Sequence, residues 1–362
     1  MSREGILACG YYGFGNLGDE AVLAGLVRGL RQAGYAGTLT VLSADAGYTE
    51  RAHGVQAIPR TDLRAVWKAM RQSRVFVLGG GSLIQDVTSA RSVVYYLGMH
   101  ALARRTGCRV AWVGQGIGPL RRGWVRRWTA AAARQADVVI ARDPTSAELL
   151  RSMGVSHVQS GADLSFLLPD ADTERGWELL QRFGVRRGSA LMAIAPRPYA
   201  GAQARLVQWF CSLARYAGRA CGAQVLLLPM HASRDRELVE EIARGVTNSI
   251  ALVEPLSVMA VKEVLACCQV VVGMRLHALM LAAASAVPTI ALSYDPKVRA
   301  FGEQSEPQYV VELTDANEQV LQQRLCDLWE GRALARERLQ PFARQQRELA
   351  QHNIDAVLGL VS

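Results

Sequence analysis

Short apolar runs alternate with longer amphipathic stretches along most of the chain. In the first half the runs are residues 6–9, 39–42, 75–78, 110–113 and 138–141, and the stretches are 20–32, 93–104, 124–135 and 146–153. Runs of four or five apolar residues with no polar alternation suit strands buried on both faces, and the stretches carry the helical period. The pattern resumes with runs at 191–195, 225–228, 250–253, 270–272 and 289–292, separated by stretches at 204–217, 235–244, 258–266 and 279–286. Such β-α alternation predicts doubly wound parallel sheets.

The rhythm breaks at Leu168-Pro169-Asp170-Ala171-Asp172, and a charged helical segment follows to Phe183, before Gly184 and Gly188. The expected organisation is therefore an α/β chain of two Rossmann-like domains facing a cleft. Residues 1–170 form the first domain, 171–187 a linker and 188–330 the second domain. Residues 331–362, rich in Arg, Gln, Leu and Glu, are expected as helices that pack back on the first domain. With 362 residues, half of them hydrophobic, the chain can bury two substantial cores.

The formal charge of +9 suggests an anionic ligand or surface, but along the chain the 41 basic residues are interspersed with 32 acidic ones and form no tail. That argues against a nucleic-acid-binding protein, as does the lack of an aromatic-basic stripe or zinc-finger spacing. The seven cysteines make no C-x-x-C pair or spaced Cys/His set, so they read as reduced core residues and no metal site is expected. The chain starts on a strand-like run without a signal-peptide pattern, and its longest apolar stretch, 278–292, is too short for a span and is cut by Pro288. A cytoplasmic protein is expected, with peripheral contact at the inner leaflet compatible with its charge.

Open α/β sheets bind ligands where strand carboxyl ends meet helix amino ends, and candidate chemistry clusters at such places. The run 270–272 leads into Gly273-Met274-Arg275-Leu276-His277, which makes His277 the first catalytic candidate and Arg275 and Gly273 its neighbours. Arg142 follows 138–141; its guanidinium fork suits a carboxylate or phosphate, or an ion pair with Asp143 or Glu148. Lys297, after 289–292, offers an ammonium to an anion or a partner to Asp295, while His231 and Arg197 end two further runs. The glycine-rich segment 10–20 contains Asn16 and Asp19, which could cap a helix or bind sugar hydroxyls. Gly79-Gly80-Gly81-Ser82, with Asp86 beyond it, reads either as backbone open to a ligand or as a plain strand-to-helix turn, and Gly114-Gln115-Gly116 repeats the pattern. The glycine spacing excludes a P-loop, and no G-x-S-x-G elbow is present.

Taken in order, 10–23 (GYYGFGNLGDEAVL), 77–86 (VLGGGSLIQD), 115–119 (QGIGP), Arg142-Asp143, Gly161-Ala162-Asp163 and 273–278 (GMRLHA) resemble the polysaccharide pyruvyl transferase family. The resemblance covers almost the whole chain. It implies a glycosyltransferase-B-type fold, with phosphoenolpyruvate as co-substrate, no cofactor, and a lipid-linked oligosaccharide as acceptor. The acceptor side would be the first domain and the donor side the second. The implied product is a 4,6-pyruvyl ketal on a terminal N-acetylmannosamine, a group used to anchor surface-layer proteins.

The family's catalytic His maps to His277 and its basic donor ligands to Arg142 and Lys297, and Arg275 and Gly273 are expected at the donor beside them. Ketal formation from an enol ether needs a proton on the methylene carbon, and imidazole suits that role. Asp19, Asp86 and Asp163 are candidates for the base, and Gly80, Gly81, Gln115 and His231 for lining the cleft. Two alternatives remain at this point: a nucleotide-sugar-dependent glycosyltransferase of the same form, and a basic protein that binds an anionic polymer.

Overall fold

The computed structural model describes residues 4–87 and 90–361. They form two compact units, one of residues up to Leu168 together with those from Gln346 onward, the other Pro169–Gln345. The strands of the first are β1 (Gly5–Cys9), β2 (Leu39–Ser43), β3 (Gln56–Pro59), β4 (Ser73–Ile84), β5 (Arg109–Ile117), β6 (Val138–Ala141) and β7 (Val158–Ser160). They lie in the order β3-β2-β1-β4-β5-β6-β7, every pair parallel. The second unit repeats the plan with β8 (Leu191–Ala195), β9 (Gln224–Leu227), β10 (Ser249–Ala251), β11 (Val270–Gly273), β12 (Thr289–Ser293) and β13 (Val310–Glu312), ordered β10-β9-β8-β11-β12-β13. The strand order therefore reverses between β1 and β4 in one sheet and between β8 and β11 in the other, the switch points at which such sheets bind ligands.

The helices of the first unit are α1 (Leu17–Gln32), α2 (Ala46–His53), α3 (Leu63–Gln72), α4 (Ala90–Arg105), α5 (Gly123–Gln135) and α6 (Pro144–Ser152). Because crossovers between parallel strands are right-handed, the four connections that run from β3 toward β7 put α3, α4, α5 and α6 on one face. Their inward side chains, Val66, Val93, Val125 and Leu150 among them, share one core with Phe76, Trp112 and Val139 of the sheet. In the second unit α7 (Thr173–Arg182), α8 (Gln203–Cys221), α9 (Ala232–Arg244), α10 (Val258–Ala266), α11 (Leu276–Ala283) and α12 (Pro296–Ser305) cover the sheet. Among the described residues no helix is long and apolar enough to cross a membrane.

Three expectations need correction. The segment 171–187 is not a linker: Asp172 caps α7, which packs on α10 so closely that a Cβ at Gly176 would lie 2.5 Å from the Glu263 carbonyl oxygen. The fully buried Lys262 ties the entry to this unit, its Nζ donating to the Pro169 carbonyl at 2.7 Å. The terminal helices are one helix, α13 (Glu318–Val361), with Pro341 inside it. Leu321, Leu325 and Leu328 join the second core, and past Gln346 the helix belongs to the first unit. There Asn353 accepts from the Gly114 N–H at 2.8 Å and Arg347 donates to the carbonyls of Phe166 and Leu168. Finally, Gly79 to Gly81 and Gly114 to Gly116 lie inside β4 and β5 rather than in turns. A strand ladder needs only backbone groups, so a run without side chains can prolong it.

Packing in the first unit depends on glycine where α1 meets the turn after β7: a Cβ at Gly25 would sit 1.9 Å from the Leu164 carbonyl oxygen. Gly25→Ala should cost about 3 kcal/mol or more, because the obstruction is backbone, and thermal melting would show it. Glu306, 4% exposed, caps β12 by accepting from the Thr289 N–H at 2.8 Å, while its Oε1 has no hydrogen-bond partner. Burial pushes its carboxyl up from 4.5 to about 7. A raised folded-state pKa contributes stability that is full below about 4.5 and lost as pH rises through about 7, a span of about 3 kcal/mol. Glu306→Gln should therefore flatten the pH profile of the melting temperature and leave the variant more stable than the parent at pH 8; an unchanged slope between pH 5 and 8 would refute this.

Candidate active site

The residues singled out in the first unit gather around β1 and β4, where most of them hold the scaffold together. After β1 the chain turns through Gly10, where a Cβ would meet the Tyr12 ring at 2.3 Å, and Tyr12 donates to the Gly79 carbonyl at 2.7 Å. Asn16 is the N-cap of α1, accepting from the Gly18 N–H and donating to the Asp19 carboxylate. Gly80 and Gly81 have φ of +61° and +76°, and a Cβ on them would strike Val22 at 2.0 Å and Asp19 at 2.9 Å. They are buried, and serve the approach of α1 to β4 instead of opening a space beside it. Gln115 is fully buried and donates to the Leu78 carbonyl at 2.8 Å, supporting the same strand. Asp86, 2% exposed, accepts from the backbone N–H groups of Arg121 and Arg122 at 2.7 and 2.8 Å. Its two oxygens hold the loop after β5.

Arg142 ends β6 but is only 4% exposed. Its Nη1 lies 3.2 Å from the Asp163 carboxylate, its Nη2 donates to Ser82 Oγ at 3.2 Å, and Asp143 approaches Nε at 3.6 Å. Room for the guanidinium comes from Gly116, where a Cβ would fall 2.4 Å from Nη2. The anticipated local partner Asp143 is present, but the nearer one is Asp163, itself 1% exposed. The buried pair joins the ends of β6 and β7 and leaves both side chains almost without exposure to solvent.

In the second unit five candidates follow four carboxyl ends: Arg197 after β8, His231 after β9, Arg275 and His277 after β11, and Lys297 after β12. Arg275 is the N-cap residue of α11 in extended conformation, and His277 stands in the first turn, part-exposed at the helix amino end. The Arg275 guanidinium is engaged by Asp235, a fully buried carboxylate of α9: Nε donates at 2.9 Å and Nη2 makes a second, short bond. Asp235 also accepts from the His231 N–H at 2.9 Å, so one carboxylate ties the exits of β9 and β11 together. Through these bonds Arg275 anchors the turn that carries His277.

Sequence reading missed Asp235 because it began α9 there, one turn late. The nearby signal was HASRD, which puts a carboxylate in the first turn after a strand exit.

His231 is 5% exposed, with Nδ1 3.4 Å from Ser233 Oγ and Nε2 buried without a hydrogen-bond partner. Burial, reinforced by Arg234 and Arg275, pushes its imidazole below the ordinary range. Arg197 donates to the Tyr294 hydroxyl and lies 4.6 Å from that ring's centroid, and Tyr199 approaches the same ring. Lys297 Nζ is 3.6 Å from Asp295, whose Oδ1 also caps α12. Gly273 is buried, and a Cβ there would meet the Leu279 side chain at 2.9 Å, so packing accounts for it. The unit thus collects three cationic side chains and two imidazoles along one sheet edge, an arrangement suited to a compact anion and a proton-transfer group.

Solved structures share the fold. HepE from Anabaena, in complex with UDP-glucose, is 14% identical, with 98% of this chain and 99% of that one covered at a TM-score of 0.66. A UDP-GlcNAc 2-epimerase from Neisseria meningitidis is 11% identical over 98% of this chain and 100% of the other, at 0.63. A glycosyltransferase from Rickettsia africae is 11% identical over 100% and 96%, at 0.60. At such identity the likeness is one of fold, the glycosyltransferase-B-like pairing of two parallel α/β sheets. No curated protein matches the chain by sequence. The family model for polysaccharide pyruvyl transferases, however, spans residues 16–296, from the Asn16 cap of α1 to the start of α12, and the chain belongs to that family.

Proposed function

We propose that this transferase moves the pyruvyl group of phosphoenolpyruvate onto a lipid-linked amino-sugar oligosaccharide ending in N-acetylmannosamine, as a 4,6-ketal. The product would serve a secondary cell-wall polymer that anchors surface-layer proteins, with synthesis on the cytoplasmic side. Family membership supplies the reaction class, a phosphoenolpyruvate donor and a polysaccharide acceptor. The observation that carries the site assignment is His277 in the first turn of α11, on a turn clamped by Arg275 to buried Asp235.

In this reading His277 protonates the methylene carbon of the donor, and one sugar hydroxyl attacks the resulting electrophilic C2. The second hydroxyl then displaces phosphate. Of the two hydroxyl protons, one replaces that given by His277 and the other leaves with the phosphate. Lys297 is the closest fit to a ligand for the donor's anionic groups, since its ammonium is part-exposed beside a strand exit. Arg275 acts through position, holding the helix start that bears the acid.

One observation favours a second reading: two of the similar structures carry uridine nucleotides, UDP-glucose in HepE and UDP-GlcNAc in the Neisseria epimerase. A nucleotide-sugar-dependent glycosyltransferase should be protected against heat by a uridine nucleotide and not by phosphoenolpyruvate.

Phosphate release from phosphoenolpyruvate, measured with and without a synthetic lipid-linked N-acetylmannosamine disaccharide, separates these readings. Acceptor-dependent release is expected, and His277→Ala should lower kcat by about a hundredfold or more while phosphoenolpyruvate still binds. Absence of release, coupled with protection by a uridine nucleotide, would overturn the assignment. Asp235→Ala leaves Arg275 without its buried carboxylate and should cost about 3–5 kcal/mol of stability. Asp235→Asn keeps one acceptor and should fold, with kcat reduced more than donor affinity; a loss confined to donor affinity would return Arg275 to the role of a direct ligand.

A further inference from the structure

Sorted by the fold, the charge of this protein is far from evenly spread. Residues 60–135, which run from the exit of β3 to the end of α5, hold 14 of the 41 Lys and Arg but only 2 of the 32 Asp and Glu, Asp62 and Asp86. The segment is thus net +12, while the rest of the chain, with 27 basic and 30 acidic residues, is net −3. The interspersion seen along the sequence conceals this. Of the two acids, Asp62 caps α3 through the N–H groups of Arg64 and Ala65, and the buried Asp86 pairs with Arg122 at 3.7 Å. Arg104 and Arg109 share Asp137 just beyond the segment, whereas α3 and α5 themselves contain no acidic residue.

The same helix layer also exposes apolar side chains. Among the described residues, five of the seven large hydrophobics that stand out in solvent belong to this segment. On α3 the outward stripe is Leu63, Arg64, Trp67, Lys68 and Arg71, with Leu63 62% and Trp67 47% exposed, and the Arg71 guanidinium 4.8 Å from the Trp67 centroid. Its other face, Val66 and Met70, is fully buried. On α4 the stripe carries Arg91 and Val94 with no acid, and on α5 Trp128 is 54% exposed beside exposed Arg127. Since α3, α4 and α5 cover one face of one sheet, these stripes form the outer side of a single layer.

Trp beside Arg and Lys on a helix whose opposite face is already buried is the pattern of an interfacial element: the ring enters the headgroup region while the cations meet anionic lipid. We infer that the α3–α4–α5 layer docks the protein on an anionic bilayer. The partner is identified by charge and by scattered single Trp and Leu side chains, which suit a fluid surface better than a shaped protein groove. The inference does not rest on the nature of the acceptor, and its failure would leave pyruvyl transfer untouched.

Sedimentation of the intact protein with vesicles tests it, comparing phosphatidylcholine alone with vesicles in which about a third of the lipid is phosphatidylglycerol, the enrichment that sets the surface potential. Binding should require the anionic lipid and weaken with salt. Arg64→Gln/Lys68→Gln/Arg71→Gln should reduce it by about a hundredfold, each cation being worth roughly a factor of five. Leu63→Ser/Trp67→Ser should reduce binding without removing its lipid-charge dependence, and Leu334→Ser, at an exposed position of the other unit, should leave it unchanged. All of these side chains are exposed, so circular dichroism and melting should match the parent, and pyruvyl transfer to a soluble acceptor should be unaffected.

Equal binding to both vesicle types, or parental binding by the triple variant, would overturn the inference. Preferential retention on duplex DNA would replace it with a nucleic-acid surface, and a dimer that dissociates in Leu63→Ser/Trp67→Ser would replace it with self-association.

Discussion

Every strand in both sheets runs in the same direction as its neighbours, and a parallel pair can be joined only by a chain that returns along the length of the strands over one face of the sheet. From this constraint follow the helices on both faces, the apolar runs without alternation, and the delivery of every strand exit to one edge. Residues as distant in sequence as Arg197, His231, His277 and Lys297 then lie along one edge of one unit. No single one of them needs a special loop to get there; the winding of the sheet brings them together.

Within that edge, buried electrostatics decide what each group can do. Asp235 has no access to water, and its two oxygens are committed to Arg275 and to the His231 backbone. A carboxylate so placed is stable only because its bonds are complete, and the same bonds fix the start of α11. The Arg142–Asp163 pair does similar work between β6 and β7. Both arginines occupy positions where a cation at a strand exit would be read as a ligand, and both are held by an acid that lies far along the chain.

That distance explains what could be read in advance. The strands at 138–141 and 191–195 and the helix at 258–266 agree with expectation to the residue, because a continuous apolar run or a helical stripe is a local signal. The edge strand β3, with no buried residue and a proline at its end, gives no such signal, nor does α3, whose apolar face is two residues wide. At α7 the break in rhythm around Pro169, Asp170 and Asp172 points to a linker, although Gly176 lets the helix backbone lie directly on α10. The exits that carry His277 and Lys297 were visible as the ends of apolar runs. The partner of Arg275 was not, since the pairing spans 40 positions and only the winding of the second sheet creates it.

The glycines at 10, 80, 81 and 116 share one property: a methyl group at any of them would collide with a side chain that the first unit has already packed. They fall in three of the segments, 10–23, 77–86 and 115–119, by which the chain is likened to its family. Those segments therefore report a scaffold, and a descendant that had lost the reaction would still have to keep them. The imidazole proposed as the acid lies elsewhere, at a helix start of the other unit whose turn is held by a buried carboxylate.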